Sequence, residues 1–191
     1  MKQFFLSFLL LCILLSCQSV KDTTPATATP PPAAPTTTST PTNNPRVDSL
    51  LRLSKQYIEQ QKVKEALTAL AEALKIDPKN SDVYYEMGLA YAYSKDMPNA
   101  IKNFDNAIQF NPSNAKAHGN LGFALYLVED RENAEIHLRK AIELDPQNGK
   151  FYHNLGAFLT DTNDPTACEY LRKARQLGYN DPTHFLEQKC K

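Results

Sequence analysis

The residues of this chain with the widest chemical repertoire are four cysteines, Cys12, Cys17, Cys168 and Cys190, and four histidines, His118, His137, His153 and His184. Thiolates and imidazoles act as nucleophiles, bases and metal ligands, so their spacing is the first test for catalysis. No two histidines form an H-x-x-x-H or H-E-x-x-H set, and no cysteine stands at zinc spacing from them. A G-x-S-x-G elbow and a phosphate loop are both missing. Asp105, Glu132 and Glu135 fall on faces that a helical period turns to solvent. The reading is therefore of a protein that is not an enzyme and has neither metal nor cofactor. Basic and acidic residues balance at 21 each, with no basic run, so nucleic acid is not an expected partner.

Cys17 has a different context. Lys2 precedes a run that is almost wholly apolar, FFLSFLLLCILLS at 4–16. As a helix it measures about 20 Å, short of a ~30 Å hydrocarbon core but right for the apolar part of a secretory signal. The run ends in LLSC at 14–17, which resembles the bacterial lipobox. The resemblance implies cleavage after Ser16 and a diacylglyceryl thioether on Cys17. An ordinary signal peptide or an uncleaved anchor is the alternative. Gln18, where Asp would retain a lipoprotein in the inner membrane, favours the outer membrane by the same resemblance. Residues 18–45 hold seven of the thirteen prolines. From Thr23 on, the stretch has no aromatic or large aliphatic residue and cannot build a core. Fully extended it reaches roughly 90 Å, and as a coil about 30 Å, which makes it a spacer. The expected organisation is a signal peptide at 1–16, a lipidated cysteine and disordered linker at 17–46, and a folded domain at 47–191.

Within that domain one sentence is written three times at a spacing of 34 residues: ALTALAEALKIDPKN at 66–80, AIKNFDNAIQFNPSN at 100–114 and AEIHLRKAIELDPQN at 134–148. Each hairpin of the repeat carries apolar residues at spacings of three and four on two successive helices. Gly88, Gly122 and Gly156 let paired helices approach closely, and Ala100, Ala107, Ala134 and Ala141 do the same from the second helix. Asp96, Asp130 and Asn163 are the expected caps of the second helices, and Asn80, Asn114 and Asn148 those of the following first helices. Lys62 is a poor cap. The recurring slots, such as Tyr84, Met87, Gly88, Tyr91, Ala100, Phe104, Ala107 and Pro112, resemble the tetratricopeptide repeat (TPR) over about residues 47–178. The fourth copy is one residue short before Ala167 and has Gly178 in place of the proline. The slot that is tryptophan in the family is never Trp here, and the inner-turn glycine is replaced by Gln61, Lys95 or Glu129.

The resemblance implies an all-α fold, a right-handed α-α superhelix of four helical hairpins, with a continuous core and a concave side. Residues 181–190, DPTHFLEQKC, are expected to add a C-terminal capping helix. With Cys12 removed and Cys17 lipidated, Cys168 and Cys190 remain as an even pair in an exported domain. Antiparallel helices at 166–177 and 182–190 would set them opposite each other, so a disulfide is expected, with two free thiols as the alternative.

In the TPR family the first helix of each repeat lines the groove. Carried onto this chain, the groove residues are Tyr85, Leu89, Tyr93, Lys116, Asn120, Phe123, Tyr126, Lys150, His153 and Asn154, with Tyr93 and Tyr126 also suited to packing between helices. His118 fills a core slot. Of the clamp with which some family members hold a chaperone C-terminus, only Asn120 and Lys150 have counterparts. The expected function is a lipid-anchored scaffold of the bacterial cell envelope, held to the membrane through its N-terminus, with a protein or peptide ligand in the groove. A pilotin-like assembly factor for a secretion or pilus pore is the narrower alternative, and an envelope enzyme the weaker one. Oligomeric state is left open.

Overall fold

The computed structural model describes residues 44–180 and Cys190. The signal, the lipidation site, most of the linker and the expected capping helix lie outside the described residues. The described residues form eight helices: α1 Pro45–Glu59, α2 Val63–Ile76, α3 Ser81–Tyr93, α4 Met97–Phe110, α5 Ala115–Leu127, α6 Arg131–Leu144, α7 Gly149–Asp161 and α8 Ala167–Gln176. None is long and apolar enough to cross a membrane. They pair as four hairpins, α1–α2 to α7–α8, stacked into an α-α solenoid. Each second helix packs on the next first helix, and first helices also meet directly, α1 with α3 and α5 with α7.

The boundaries follow from local chemistry. α1 starts at Pro45, ahead of the expected boundary at 47, because Asn44 caps it by accepting from Arg46 N–H at 3.0 Å and proline suits the first turn. Asp96, Asp130, Asn80 and Asn114 cap their helices as the repeat requires, and Lys62 makes no side-chain cap. Two expected caps fail. At Asn148 the main-chain carbonyl, rather than the side chain, takes the Phe151 N–H, while the amide donates to Asp145 at 3.2 Å. Asn163 is in the turn with φ 56°, and the carboxylate that serves this end is Asp164. Asp164 accepts from the Thr166 N–H at 2.8 Å and hydroxyl at 2.6 Å, and those bonds hold it below the usual carboxylate range.

Each first helix ends in the same tight motif. In the second hairpin, Asp96 N–H reaches back to the Tyr91 carbonyl and Lys95 N–H to that of Ala92, with Lys95 in the left-handed region at φ 63°. Gln61, Glu129 and Asn163 repeat it at φ 61°, 66° and 56°. Only the turn after α8 uses glycine, Gly178 at φ 81°. Near the last turn the sulfurs of Cys168 and Cys190 lie 2.08 Å apart, with Cα atoms 5.5 Å apart.

The core is divided rather than continuous. Phe104, Leu121, Leu138, Leu155, Phe158 and Leu159 belong to one cluster across the second to fourth hairpins. Val47, Leu50, Ala69, Leu70, Ala73 and Val83 form another at the first. The seam lies on α3, where Ser81, Glu86 and Gly88 are buried among the apolar residues. Ala100, Ala107, Ala134 and Ala141 are fully buried, and they mark where the helices touch. A methyl group at Gly122 would stand 2.8 Å from Leu138 Cγ, 2.9 Å from the Ala134 carbonyl oxygen and 2.9 Å from Leu138 N. Two of those three obstacles are backbone, so the hairpin would have to spread. Gly122→Ala is expected to lower the unfolding free energy by about 1–3 kcal/mol, read from denaturant midpoints. An unchanged midpoint would mean that α5 and α6 are paired in another register.

Candidate functional site

The 34-residue repeat sets α1, α3, α5 and α7 side by side, so residues at equivalent positions line up across the stack. A polar ladder crosses three of these helices. Lys150 Nζ on α7 donates to Asn120 Oδ1 on α5 at 3.5 Å, and Asn120 Nδ2 donates to the Tyr85 hydroxyl on α3 at 3.1 Å. Burial raises the Tyr85 phenol above its ordinary pKa and pushes the Lys150 ammonium down. Among the described residues the exposed Lys150 has no carboxylate within ion-pair distance.

Apolar groups flank the ladder. Phe123 is 39% exposed and Tyr93 51%, and Leu89 is half-buried. Tyr126 joins two helices instead: its ring meets Phe158 edge-on at 5.8 Å and its hydroxyl donates to Asp161. Burial and that carboxylate push the Tyr126 phenol up to about 12. Lys116 is exposed, and His153 packs its ring on Tyr179 at 4.9 Å. Asn154 is only 6% exposed, so its side chain belongs to the interior of the stack. The ten expected residues therefore divide into a surface set, a packing residue in Tyr126, and a buried Asn154.

The sequence reading passed over three features here. Glu86, 6% exposed, pairs with Lys55 on α1 at 3.1 Å. Desolvation raises its carboxyl against the pull of Lys55. The groove positions that selected Asn120 and Phe123 also select Glu86 and Lys55 when applied to the second and first repeats. Leu127, 51% exposed, extends the apolar surface beside Tyr126. His118 is buried as expected, but it shares a hydrogen bond with His137. A depression of about 310 Å³ along α1 and α2, lined by Leu50, Leu53 and Ala69 among others, shares no residue with the ladder.

Models of the TPR repeat match residues 55–95 and 90–128, and two further tetratricopeptide models match 115–148 and 137–170. Together these matches cover more than half of the chain. A comparison with curated protein sequences finds no match. Among solved structures the chain is similar to Pseudomonas aeruginosa pilF, with 26% identity and a TM-score of 0.67 over 72% of this chain and 64% of that one. It thus spans under two thirds of that protein. The crystal structure of MamA aligns at 24% identity and TM-score 0.62, over 69% of this chain and 78% of that one. The first TPR of Spaghetti (RPAP3), bound to the HSP90 peptide SRMEEVD, aligns at 23% and 0.59, over 62% and 94%. The last two show likeness of fold.

The Lys55–Glu86 pair yields an asymmetric expectation. Lys55→Ala leaves a buried carboxylate without its cation and should cost about 1–3 kcal/mol. Glu86→Gln removes the charge whose desolvation is unfavourable, and should leave stability unchanged or raised. Equal losses in both variants, measured by urea denaturation, would show that the pair stabilises the fold outright.

Proposed function

The chain belongs to the tetratricopeptide repeat family, and from that premise we propose that it is a lipid-anchored scaffold of the bacterial cell envelope that binds an extended segment of a partner protein in its groove. The observation that carries this reading is the direction of the ladder's hydrogen bonds. Lys150 donates to Asn120, and Asn120 donates to Tyr85. The hydrogens left over, on the ammonium, the amide and the phenol, are all donors. Such a surface suits a run of acceptors, which an extended backbone supplies as carbonyls, and it also suits a carboxylate. Phe123, three residues from Asn120 on α5, and Tyr93 and Leu127 at the ends of α3 and α5 are exposed apolar groups of the kind that anchor protein interfaces. The RPAP3 domain, similar in fold, carries a bound peptide.

The LLSC stretch adds the anchor. Two or more acyl chains on Cys17, at about 0.8 kcal/mol per buried CH₂, would hold the protein stably at a membrane. The proline-rich stretch after it would set the reach of the groove, and confinement would raise the effective concentration of a partner.

Two tests separate the parts of this reading. A photo-crosslinking residue at Phe123 in living cells should capture one dominant partner. Asn120→Ala with Lys150→Ala should weaken that capture about tenfold, as expected for loss of a charge-assisted hydrogen bond. Capture of nothing, or of a second copy only, would refute a partner in this groove, whereas capture of a pore subunit would select the pilotin-like form of the proposal. Independently, Cys17→Ala should move the protein from the membrane fraction to the soluble fraction. Retention on the membrane would replace the lipid by an uncleaved anchor.

A further inference from the structure

Two imidazoles outside the ladder hold each other. His118 Nδ1 on α5 and His137 Nδ1 on α6 are 2.9 Å apart, with rings stacked at 5.2 Å and 28°. His118 Nε2 lies 3.1 Å from the Pro112 carbonyl oxygen. A carbonyl only accepts, so Nε2 of His118 carries a hydrogen. In a neutral ring Nδ1 then offers a lone pair, and the hydrogen between the rings belongs to His137. The tautomers are therefore assigned by their partners: His118 protonated on Nε2, His137 on Nδ1. His118 is only 7% exposed and His137 is half-buried. Burial lowers the pKa of both, in keeping with a neutral pair.

We propose that this pair is a proton-sensitive latch that holds α5 against α6 while both rings are neutral and loosens the third hairpin on acidification. The first added proton takes the lone pair left on His137 Nε2, and His137 Nδ1–H still donates to His118. That step places a charge in a desolvated site. The second proton leaves N–H facing N–H across 2.9 Å, with no acceptor between them. The two rings titrate as one unit.

The surroundings do little to neutralise the charge. The charged groups acting on His118 are Lys140, which opposes its protonation, and Glu143, which favours it. Both lie on α6, and they are joined to each other at 2.7 Å, so their fields largely cancel. The α4–α5 connection contributes the Pro112 carbonyl. No charged group of α4 or α7 among the described residues acts on His118, and for His137 burial alone lowers the value. Both folded values lie below the ordinary 6.5. The latch is therefore fully effective above that value, and its contribution is lost as pH falls through the folded values.

α5 also carries Asn120 and Phe123, so a loosened third hairpin disturbs the middle of the groove. That consequence rests on the groove reading; the latch does not.

The test uses the purified protein without a partner. Two-bond ¹H–¹⁵N spectra of the imidazoles at about pH 7.5 should report His118 as the Nε2–H tautomer and His137 as Nδ1–H. Amide-exchange protection in α5 and α6 should fall several-fold on acidification to about pH 5, while that of α1 and α2 holds. His137→Asn supplies an amide N–H at the Nδ1 position and can turn its oxygen toward a protonated His118. This variant should lose most of the selective acid response. Both rings in the Nε2–H form, a uniform loss across all hairpins, or an unaltered acid response in His137→Asn would each overturn the latch. The spectra of the unaltered protein decide the matter even if the variant folds poorly.

Discussion

The structure depends on how closely two helices of one hairpin can lie. In the second, third and fourth hairpins a glycine of the first helix faces a large side chain of the second: Gly88 faces Phe104, Gly122 faces Leu138 and Gly156 faces Leu171. Removing a Cβ at that point lets the large side chain fill the space and brings the helix backbones together. Packing at interior density leaves no slack for an added methyl. The first hairpin has Ser54 in the same slot, fully buried, with its hydroxyl returned to the Leu51 carbonyl at 2.8 Å. This hairpin has its own apolar cluster, and buried Glu86, paired with the exposed Lys55, lies along the seam between the two. The register of the stack thus follows from a few small residues, and the rest of the apolar surface closes around them.

A second constraint is the turn that those close helices require. Among the described residues, four of the five in the left-handed region are not glycine. A left-handed residue with a Cβ costs about 1–2 kcal/mol, yet the turn satisfies the last carbonyls of each first helix with two backbone bonds. The conformation persists because the packed helices on both sides determine it, as strained backbone generally requires. Asn163 is the best suited of the four side chains to that region, and it is found in the hairpin that has lost a residue.

Much of this was legible in the sequence because it repeats. A period of 34 places the helices, the close-contact glycines and four of the caps, since those depend only on local spacing. The misassigned cap shows the limit of counting. Counting back from Ala167 gives Asn163, but the missing residue falls between Asp164 and Ala167, so Asn163 keeps the left-handed position of Glu129 and Asp164 is the acceptor. In the groove, Tyr85, Asn120 and Lys150 were visible as separate lining residues. Their connection was not, because it depends on how far one hairpin rotates on the next. Glu86 was missed because a charged residue reads as a solvated one until burial is known. His118 was read correctly as an interior residue, but the partner that defines its chemistry lies nineteen residues on, at a crossing the repeat does not encode.

The ladder and the histidine pair follow one rule with opposite results. Each is a short chain of polar groups whose first member fixes the rest. In the histidine pair the Pro112 carbonyl fixes where His118 carries its hydrogen, and the bond between the rings then runs from His137 to His118. What that chain leaves over is a lone pair on His137 Nε2, which takes an added proton. In the ladder, by contrast, Lys150 at the start supplies more hydrogens than Asn120 accepts, and Tyr85 at the end keeps the hydrogen of its hydroxyl. An open chain of donors next to exposed Phe123 is incomplete in a way that a partner's carbonyls would complete. The difference between an interior latch and a binding surface is thus set by whether the terminal group of the chain is an acceptor or a donor, more than by how deeply its members are buried.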